Sequence, residues 1–253
     1  MSIHQTLFAG YSNPLRVVDA ADFDGTNDYM TRGADLTGSA DSKSGILSAW
    51  LRIDGHDGVQ IFILENYSSA LRFFFYRNSL NTFTISGRNA SGTVILSLVS
   101  STTYTTSSTW RHVLASWDLA TAAGHLYIND VSDLGSSTLT NDTLDYTTGA
   151  FAVGASPVGA PGDEFDGAMA DIYFAPGQYL DFSIAANRRK FISPSGKPVH
   201  LGTDGSLPTG TAPLLYCHLD DGEAVANFAT NRGSGGNLSI TGALDTASSS
   251  PSD

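Results

Sequence analysis

Apolar and polar residues alternate along much of the chain. Between residues 45 and 54, Leu47 and Leu51 fall on one face of an extended chain, whereas Trp50 and Arg52 fall on the other. Further short runs rich in β-branched or aromatic residues, most of them bounded by turn residues, lie at 59–64, 71–76, 82–86, 93–99, 110–119, 124–131, 150–154 and 167–174. Strands that recur about every 10–15 residues, with no helices between them, predict an antiparallel β-sandwich or barrel.

One segment departs from this alternation and predicts a short helix over residues 183–192. Ser183 is a residue type that caps helix N-termini. Arg188, Arg189 and Lys190 form a basic cluster that suits the negative end of the helix dipole. We interpret this cluster as the end of a capped helix, in preference to a phosphate or partner site.

The charge composition agrees with a β protein. The 253 residues include 13 Lys and Arg against 25 Asp and Glu, for a net charge of −12. The acids comprise 22 Asp and only three Glu, and Lys occurs three times. Because Asp favours turns whereas Glu and Lys favour helices, this imbalance indicates many turns and little helix.

The sequence also argues against nucleic-acid binding, membrane insertion and a secretory signal. An acidic chain does not supply the Lys and Arg that phosphate backbones require, so we expect no nucleic-acid binding. No apolar run approaches the ~18 residues of a membrane span, so we expect no membrane insertion. The first ten residues lack a basic region followed by an apolar one, and no secretory signal is expected.

The single cysteine, Cys217, excludes an internal disulfide framework and a multi-cysteine metal site. It lies within an apolar run and is expected in the core as a small hydrophobic residue, with His218 on the opposite face of its strand. The six histidines have no ligand spacing, so zinc is not expected.

Several segments, in order over residues 17–182, resemble the concanavalin A-like, laminin G-like jelly-roll family. They are Asp22–Met30 (DFDGTNDYM), 48–52 (SAWLR), 110–118 (WRHVLASWD), 124–130 (GHLYIND) and 166–173 (DGAMADIY). Residues 212–222 (APLLYCHLDDG) look like the segment that usually begins such domains, but here it follows the closing strand. The resemblance therefore implies that residues 213–241 fold back onto the same sandwich.

We accordingly predict a single domain over residues 1–253. Its parts are an N-terminal arm (1–16), a jelly-roll core (17–182), a helix and connecting loop (183–212), C-terminal strands that complete the sandwich (213–241) and a tail (242–253).

The ends of the chain carry a further resemblance. Residues 3–11, 204–210 and 231–253 look like parts of tailed-bacteriophage proteins that carry this jelly roll. Such proteins are components of the virion head, neck or tail, so the resemblance implies localisation in the virion. Residues 1–11 or 246–253 are then expected to dock the sandwich onto other virion proteins.

Hydrolases on this fold usually present a Glu-x-Asp-x-x-Glu strand, because retaining hydrolysis needs two carboxylates about 5 Å apart. That motif does not occur here, and Glu65, Glu164 and Glu223 are far apart in sequence. No Gly-x-Ser-x-Gly elbow or phosphate-binding Gly-rich motif is present either. We therefore predict that the protein is not an enzyme, and we assign no catalytic or cofactor-binding residues.

Calcium is the one cofactor that the residues leave open. Carboxylates in turns are the ligands that calcium prefers, and the stretches 54–57 (DGHD) and 162–166 (GDEFD) provide them. Relatives of this fold often hold calcium at the rim of the sandwich. Asp-Gly pairs also form ordinary hairpin turns, which is the interpretation we prefer, and no metal-binding residue is assigned.

A sugar-binding surface requires exposed aromatic residues. Trp50 and Trp117 match core positions of the family and are expected between the sheets, whereas Trp110 begins a strand and is ambiguous. The tyrosines near strand ends that are placed to line a surface are Tyr67, Tyr76 and Tyr104. No ligand-binding residue is assigned from the sequence.

The function favoured by these observations is a non-enzymatic accessory structural or adhesion protein of a bacteriophage virion, which displays a lectin-like sandwich. Its expected partners are other virion proteins and host-surface glycans, and a free sheet edge would allow copies to pair. The first alternative is a free-standing carbohydrate-binding lectin, with or without calcium. The second is a glycoside hydrolase of unrecognised type.

Overall fold

A computed structural model describes residues 14–55, 57–65, 72–147, 149–156 and 163–253. Within these ranges the strands are β1 (Val18–Asp19), β2 (Ala21–Asp24), β3 (Tyr29–Arg32), β4 (Ser44–Ile53), β5 (Gln60–Glu65), β6 (Phe73–Arg77), β7 (Thr82–Arg88), β8 (Val94–Thr103), β9 (Ser107–Asp118), β10 (Ala123–Ile128), β11 (Val131–Ser132), β12 (Leu134–Leu139), β13 (Phe151–Val153), β14 (Asp166–Pro176), β15 (Leu215–Cys217), β16 (Leu219–Asp220), β17 (Ser239–Thr241) and β18 (Asp245–Thr246). Helix α1 spans Ala185–Arg188, and a 3-10 helix spans Val225–Ala229.

Two antiparallel sheets contain most of these strands. The first has the order β11-β10-β9-β4-β14-β2-β18, and the second has the order β12-β8-β7-β6-β5-β13-β3-β17. The predicted all-β antiparallel sandwich is therefore confirmed. No helix in the described ranges has the length and apolar character needed to cross a membrane.

Strand β14 organises the first sheet. One of its edges pairs with β4, and the other pairs first with β2 and then with β15. Asp171 lies between these last two pairings, where the register with β4 shifts, and its φ is 45°. This bulge lets one long strand hold two short partners in succession.

The hydrophobic core lies between the two sheets, and aromatic rings dominate it. The Phe73 ring lies 5.5 Å from the Trp117 ring and 4.7 Å from the Phe174 ring, measured between centroids. These three side chains are fully buried. Burial of such large apolar surfaces is the main force that holds the two sheets together.

A second apolar layer covers the outer face of the first sheet. Phe182 and Phe191, from the connection after β14, pack on Tyr173 and Tyr216 there. Because these contacts fold the connection back on the sheet, helix α1 has only four residues where the sequence pattern predicts ten. Ile184, rather than Ser183, occupies its N-cap position, with no side-chain capping bond.

The C-terminal part of the chain contributes strands to both sheets. In the segment 213–241, β15 pairs with β14 of the first sheet and β17 pairs with β3 of the second. Beyond it, β18 pairs with β2, and Ser250 is buried. The assignment of the whole chain to one domain stays a prediction, and the predicted docking segment 1–11 lies outside the described residues.

Candidate functional site

A groove of about 460 Å³ opens at one rim of the sandwich, where β8 ends, β9 begins and the β10–β11 hairpin turns. The residues that line this rim groove are Ser101, Thr102, Tyr104, Arg111, Ile128, Asn129, Val131, Ser132 and Asp133. Its volume lies within the range of about 300–1,000 Å³ that is typical of small-molecule sites.

The hairpin that forms one wall is fixed by its turn and by the helix. Asn129 and Asp130 both have positive φ, 50° and 67°, which is the backbone of a type I′ turn. The Asn129 side-chain oxygen accepts a hydrogen bond from the His112 amide at 2.7 Å. Arg188 and Arg189 both donate to the Asp130 carboxylate, so these two members of the basic cluster anchor the hairpin.

Asp133 holds together residues 101–104, which line the other side of the rim groove. One of its carboxylate oxygens accepts hydrogen bonds from the hydroxyls of Ser101 and Thr102, at 2.5 and 2.8 Å, and from the Thr102 amide. The other oxygen accepts the Tyr104 hydroxyl at 2.5 Å. This buried carboxylate is therefore satisfied by neutral donors.

Tyr104 forms the floor of the rim groove, but neither face of its ring is open. Phe83 stacks on one face with a centroid distance of 4.3 Å and an interplanar angle of 8°. The Arg111 guanidinium lies 5.1 Å from the ring centroid. Burial raises the pKa of Tyr104, and its hydrogen bond to Asp133 raises it further, which keeps the hydroxyl protonated as a donor.

A second cavity of about 350 Å³ adjoins the rim groove and shares Asn129 with it. We call it the tryptophan cavity, because Trp50 and Trp110 line it together with Lys197 and residues near Ser250. The Trp110 indole N–H donates to the Ser249 hydroxyl at 3.1 Å. Residues 249–253 thus close one side of this cavity.

A third, smaller cavity of about 70 Å³ lies beside the bulge in β14. Arg16, His218 and Asp220 line it, and Arg16 also reaches the buried Asp171 at 3.5 Å. This volume is well below that of a typical ligand site, and the charges bind one another. We therefore regard this cluster as a structural network that fastens residue 16 to β14 and β16.

The two segments considered for calcium, and interpreted in preference as turns, lie beside each other in the structure. The backbone amide of Asp54 donates to the carbonyl of Asp166 at 3.0 Å. The Asp54 carboxylate is bound by Arg52 at 2.5 Å, and Arg52 also lies 3.5 Å from Asp22. The Asp54 carboxylate is thus already paired with a guanidinium, and the described residues contain no group of three or more His, Cys, Asp or Glu side chains that could hold a metal ion.

Of the two tryptophans expected between the sheets, Trp50 and Trp117, one lies elsewhere. Trp117 lies in the core between the sheets, but Trp50 does not: it lies on the outer face of the first sheet, buried against Ala168, Ala170 and Ile192. That part of the prediction was wrong, because the chain around residues 192–199 and 249–253 covers this face and buries Trp50 from outside.

Tyr104 lines the rim groove, whereas Tyr76 packs with Phe74 and Ile61 on the second sheet. Tyr67, His56 and Gly162 lie outside the described residues. Cys217 is in the core, and burial raises the pKa of its thiol to about 12. Sequence reasoning missed Arg111 and Asp133, which no local motif distinguishes.

Residues 24–177 match the model of one protein family. This family is the concanavalin A-like lectin/glucanases superfamily, of laminin G type. This match spans the strands that surround the rim groove. Comparison with curated proteins gave no match.

Several solved structures are similar to this chain. A proposed carbohydrate-binding protein from Bacteroides ovatus aligns with a TM-score of 0.61 and 14% identity, over 92% of this chain and 60% of that one. A heptameric SAP-like pentraxin from Limulus polyphemus aligns with a TM-score of 0.49 and 10% identity, over 66% of this chain and 79% of that one. The chain therefore spans 60% of the length of the Bacteroides protein, and at this identity the likeness shows a shared fold.

Proposed function

This chain belongs to the concanavalin A-like lectin/glucanases superfamily, and we propose that it is a non-catalytic carbohydrate-binding protein whose rim groove receives the sugar. The observation that carries the proposal is the groove itself, which combines hydroxyl, amide, guanidinium and carboxylate groups with one exposed apolar side chain, Val131. Sugars offer both hydroxyls and apolar faces, so a site for them needs both kinds of contact. The name of the similar Bacteroides protein, a proposed carbohydrate-binding protein, also supports this function.

The composition of the rim groove favours binding over hydrolysis. Glycoside hydrolysis uses two carboxyl groups on either side of the scissile bond. Among the described lining residues, Asp133 is the one carboxylate, and four donated hydrogen bonds hold its two oxygens. We therefore keep hydrolysis as the less favoured alternative.

A glycan array tests the proposed function. The wild-type protein is expected to bind one set of related glycans, and Ser132→Trp, which fills the rim groove from an exposed position, is expected to abolish that binding. Ser136→Trp is the matched control, because Ser136 is also exposed but does not line the groove. A blank array for the wild-type protein, or binding that survives Ser132→Trp, would contradict the proposal.

We further propose that the protein is displayed on a bacteriophage virion, where glycan binding would attach the particle to its host. The support is the resemblance of residues 3–11, 204–210 and 231–253 to tailed-phage proteins. Mass spectrometry of purified particles tests this role and is expected to find the chain at a fixed copy number. Its absence from the particles would overturn the virion role and leave the carbohydrate-binding proposal standing.

A further inference from the structure

Arg111 stands apart from most arginines of this acidic protein. Seven of the ten arginines have a carboxylate within 3.7 Å among the described residues: Arg16, Arg52, Arg72, Arg77, Arg188, Arg189 and Arg232. Within the same ranges no such partner is found for Arg32, Arg88 or Arg111. With 25 acids to ten arginines, an arginine that lacks a carboxylate partner calls for a physical account.

The surroundings of these three arginines differ. Arg32 donates to the Asp35 and Asn237 carbonyls and to the Thr37 hydroxyl, so backbone and hydroxyl oxygens satisfy its guanidinium. Arg88 donates to the Gly92 carbonyl and lies outside the rim groove. Arg111 lines the groove, donates to the Thr109 carbonyl at 3.0 Å and packs over Tyr104.

The charge of Arg111 is partly desolvated and poorly compensated. Burial lowers the pKa of Arg111, an effect that Tyr104 partly opposes. A guanidinium has five N–H donors, and within the described part of the chain one hydrogen bond, to the Thr109 carbonyl, engages them, which leaves donors for a ligand. A planar guanidinium of this kind binds carboxylate or sulfate oxygens in pairs.

Asp133, the other charged residue of the groove, does not neutralise Arg111. No ion pair joins the two side chains in the described structure. The oxygens of Asp133 are instead engaged by Ser101, Thr102 and Tyr104. An incoming anion therefore meets a carboxylate whose two oxygens both accept hydrogen bonds from neighbouring groups, next to a guanidinium with donors still available.

We propose that the rim groove binds an acidic saccharide, and that Arg111 pairs with its carboxylate or sulfate group. This inference rests on the proposed carbohydrate-binding function and names the class of sugar. The net charge of −12 does not oppose it at short range, because the Debye length at physiological salt is about 8 Å and exposed charges farther away are screened.

The test compares purified full-length protein on glycans that share a backbone and differ in charge. The probes are a neutral trisaccharide, its uronic-acid counterpart and its sulfated counterpart, measured by titration calorimetry. We expect the charged probes to bind more tightly than the neutral one, and whichever anion binds better identifies the source of the charge. Arg111→Gln is expected to weaken the charged probes about 10- to 100-fold, and to weaken them more than it weakens the neutral probe.

Two further variants keep this test decisive. Lys43→Gln removes the same charge at a distant position, where Lys43 contacts Asn141, and is expected to have no effect. Arg111→Lys retains the charge without the planar fork and is expected to restore part of the affinity, which distinguishes loss of charge from loss of folding. Melting curves of all variants confirm that each is folded.

The other outcomes separate failure of the acidic-saccharide inference from failure of the proposed function. Binding of the neutral probe alone, blocked by Ser132→Trp, would overturn the acidic-saccharide inference and leave the proposed function intact. Binding of acidic probes that does not respond to Arg111→Gln would also overturn the inference. Failure of every glycan to bind would overturn the proposed function itself.

Discussion

Asp171 is a buried carboxyl group in the middle of β14, with a backbone φ of 45°. Burial raises the pKa of Asp171 to about 6, an effect that the neighbouring Arg16 reduces and Asp220 increases. The left-handed backbone conformation is one that Asp and Asn tolerate better than most residues. Asp171 therefore combines a structural role in the bulge with an ionisation that the fold disfavours.

This ionisation predicts a specific pH dependence of stability. The folded pKa of about 6 lies above the unfolded value of about 3.9, so the folded state binds the proton more tightly. The resulting stabilisation is complete below pH ~3.9 and is lost as the pH rises through 6, for a change of roughly 3 kcal/mol. Asp171→Asn keeps the shape and the tolerated φ, and urea unfolding from pH 4 to 7 is expected to show that this contribution has gone.

The quantity to follow is the difference in unfolding free energy between wild type and Asp171→Asn, because two buried histidines make the fold less stable at low pH, whereas Asp171 makes it more stable there. Burial lowers the pKa of His112 and of His218 to about 3, so protonation of the unfolded state destabilises the fold as the pH falls below ~6.5. Both histidines are present in wild type and variant. A difference in unfolding free energy that stays constant from pH 4 to 7 would show that Asp171 does not titrate as described.

At the scale of single elements, alternation predicts strands well but does not determine which face is buried. The run at 45–54 is expected as a strand and is observed as β4 (Ser44–Ile53). Its alternation places Trp50 opposite Leu47, yet family resemblance alone suggested that Trp50 faces the core. Both faces of β4 are in fact buried, one by the second sheet and one by the C-terminal chain, which the local pattern does not reveal.

Close packing within the first sheet makes Gly45 a sensitive position. Gly45 pairs with Trp117 of β9, and a Cβ atom at Gly45 would lie 2.2 Å from the indole. Since Trp117 is fully buried and cannot move without disturbing the core, Gly45→Ala is expected to lower the free energy of unfolding by about 1–3 kcal/mol. Chemical denaturation measures this change.

Gly33→Ala provides the matched control for that substitution. A Cβ atom at Gly33 meets no atom within 4 Å, and Gly33 has no positive φ to oppose an alanine. We expect its unfolding free energy to stay within about 0.5 kcal/mol of wild type. Equal losses for the two variants would show that contact with Trp117 is not the cause.

At the scale of the whole molecule, some of the acidic side chains stabilise turns. The Asp24 carboxylate accepts the amides of Thr26 and Asn27, and the Asp204 carboxylate accepts the amide of Ser206. These are the local bonds by which aspartate stabilises turns, so these two carboxylates serve the fold. The small helix content that the composition predicts is observed, since α1 and one 3-10 helix are the helices of the described residues.

The candidate site is much less predictable from the sequence than the fold is. Tyr104 stands out as an aromatic residue near a strand end, and Asn129-Asp130 reads as a turn. Arg111 and Asp133 carry no such signal, because their importance depends on which charges lie beside them in space. The rim groove joins residues 101–104, 111 and 128–133 through strand pairing and hairpin anchoring, and one-dimensional periodicity does not encode those contacts.

The C-terminal strands permit a test of whether the chain folds as one unit. A protein that ends at Lys197 loses the four strands β15 to β18, and it also loses the core side chains Leu215, Cys217, Leu219, Phe228, Leu238 and Leu244. Burial of each large apolar side chain contributes about 1.5–3 kcal/mol, and their sum reaches the ~5–15 kcal/mol of a whole domain. We therefore expect the 1–197 fragment to be unfolded by circular dichroism and rapidly digested by protease, and addition of the separate 198–253 peptide to restore structure. A fragment that stays folded and soluble without this peptide would show that the C-terminal strands form a dispensable addition to an independent sandwich.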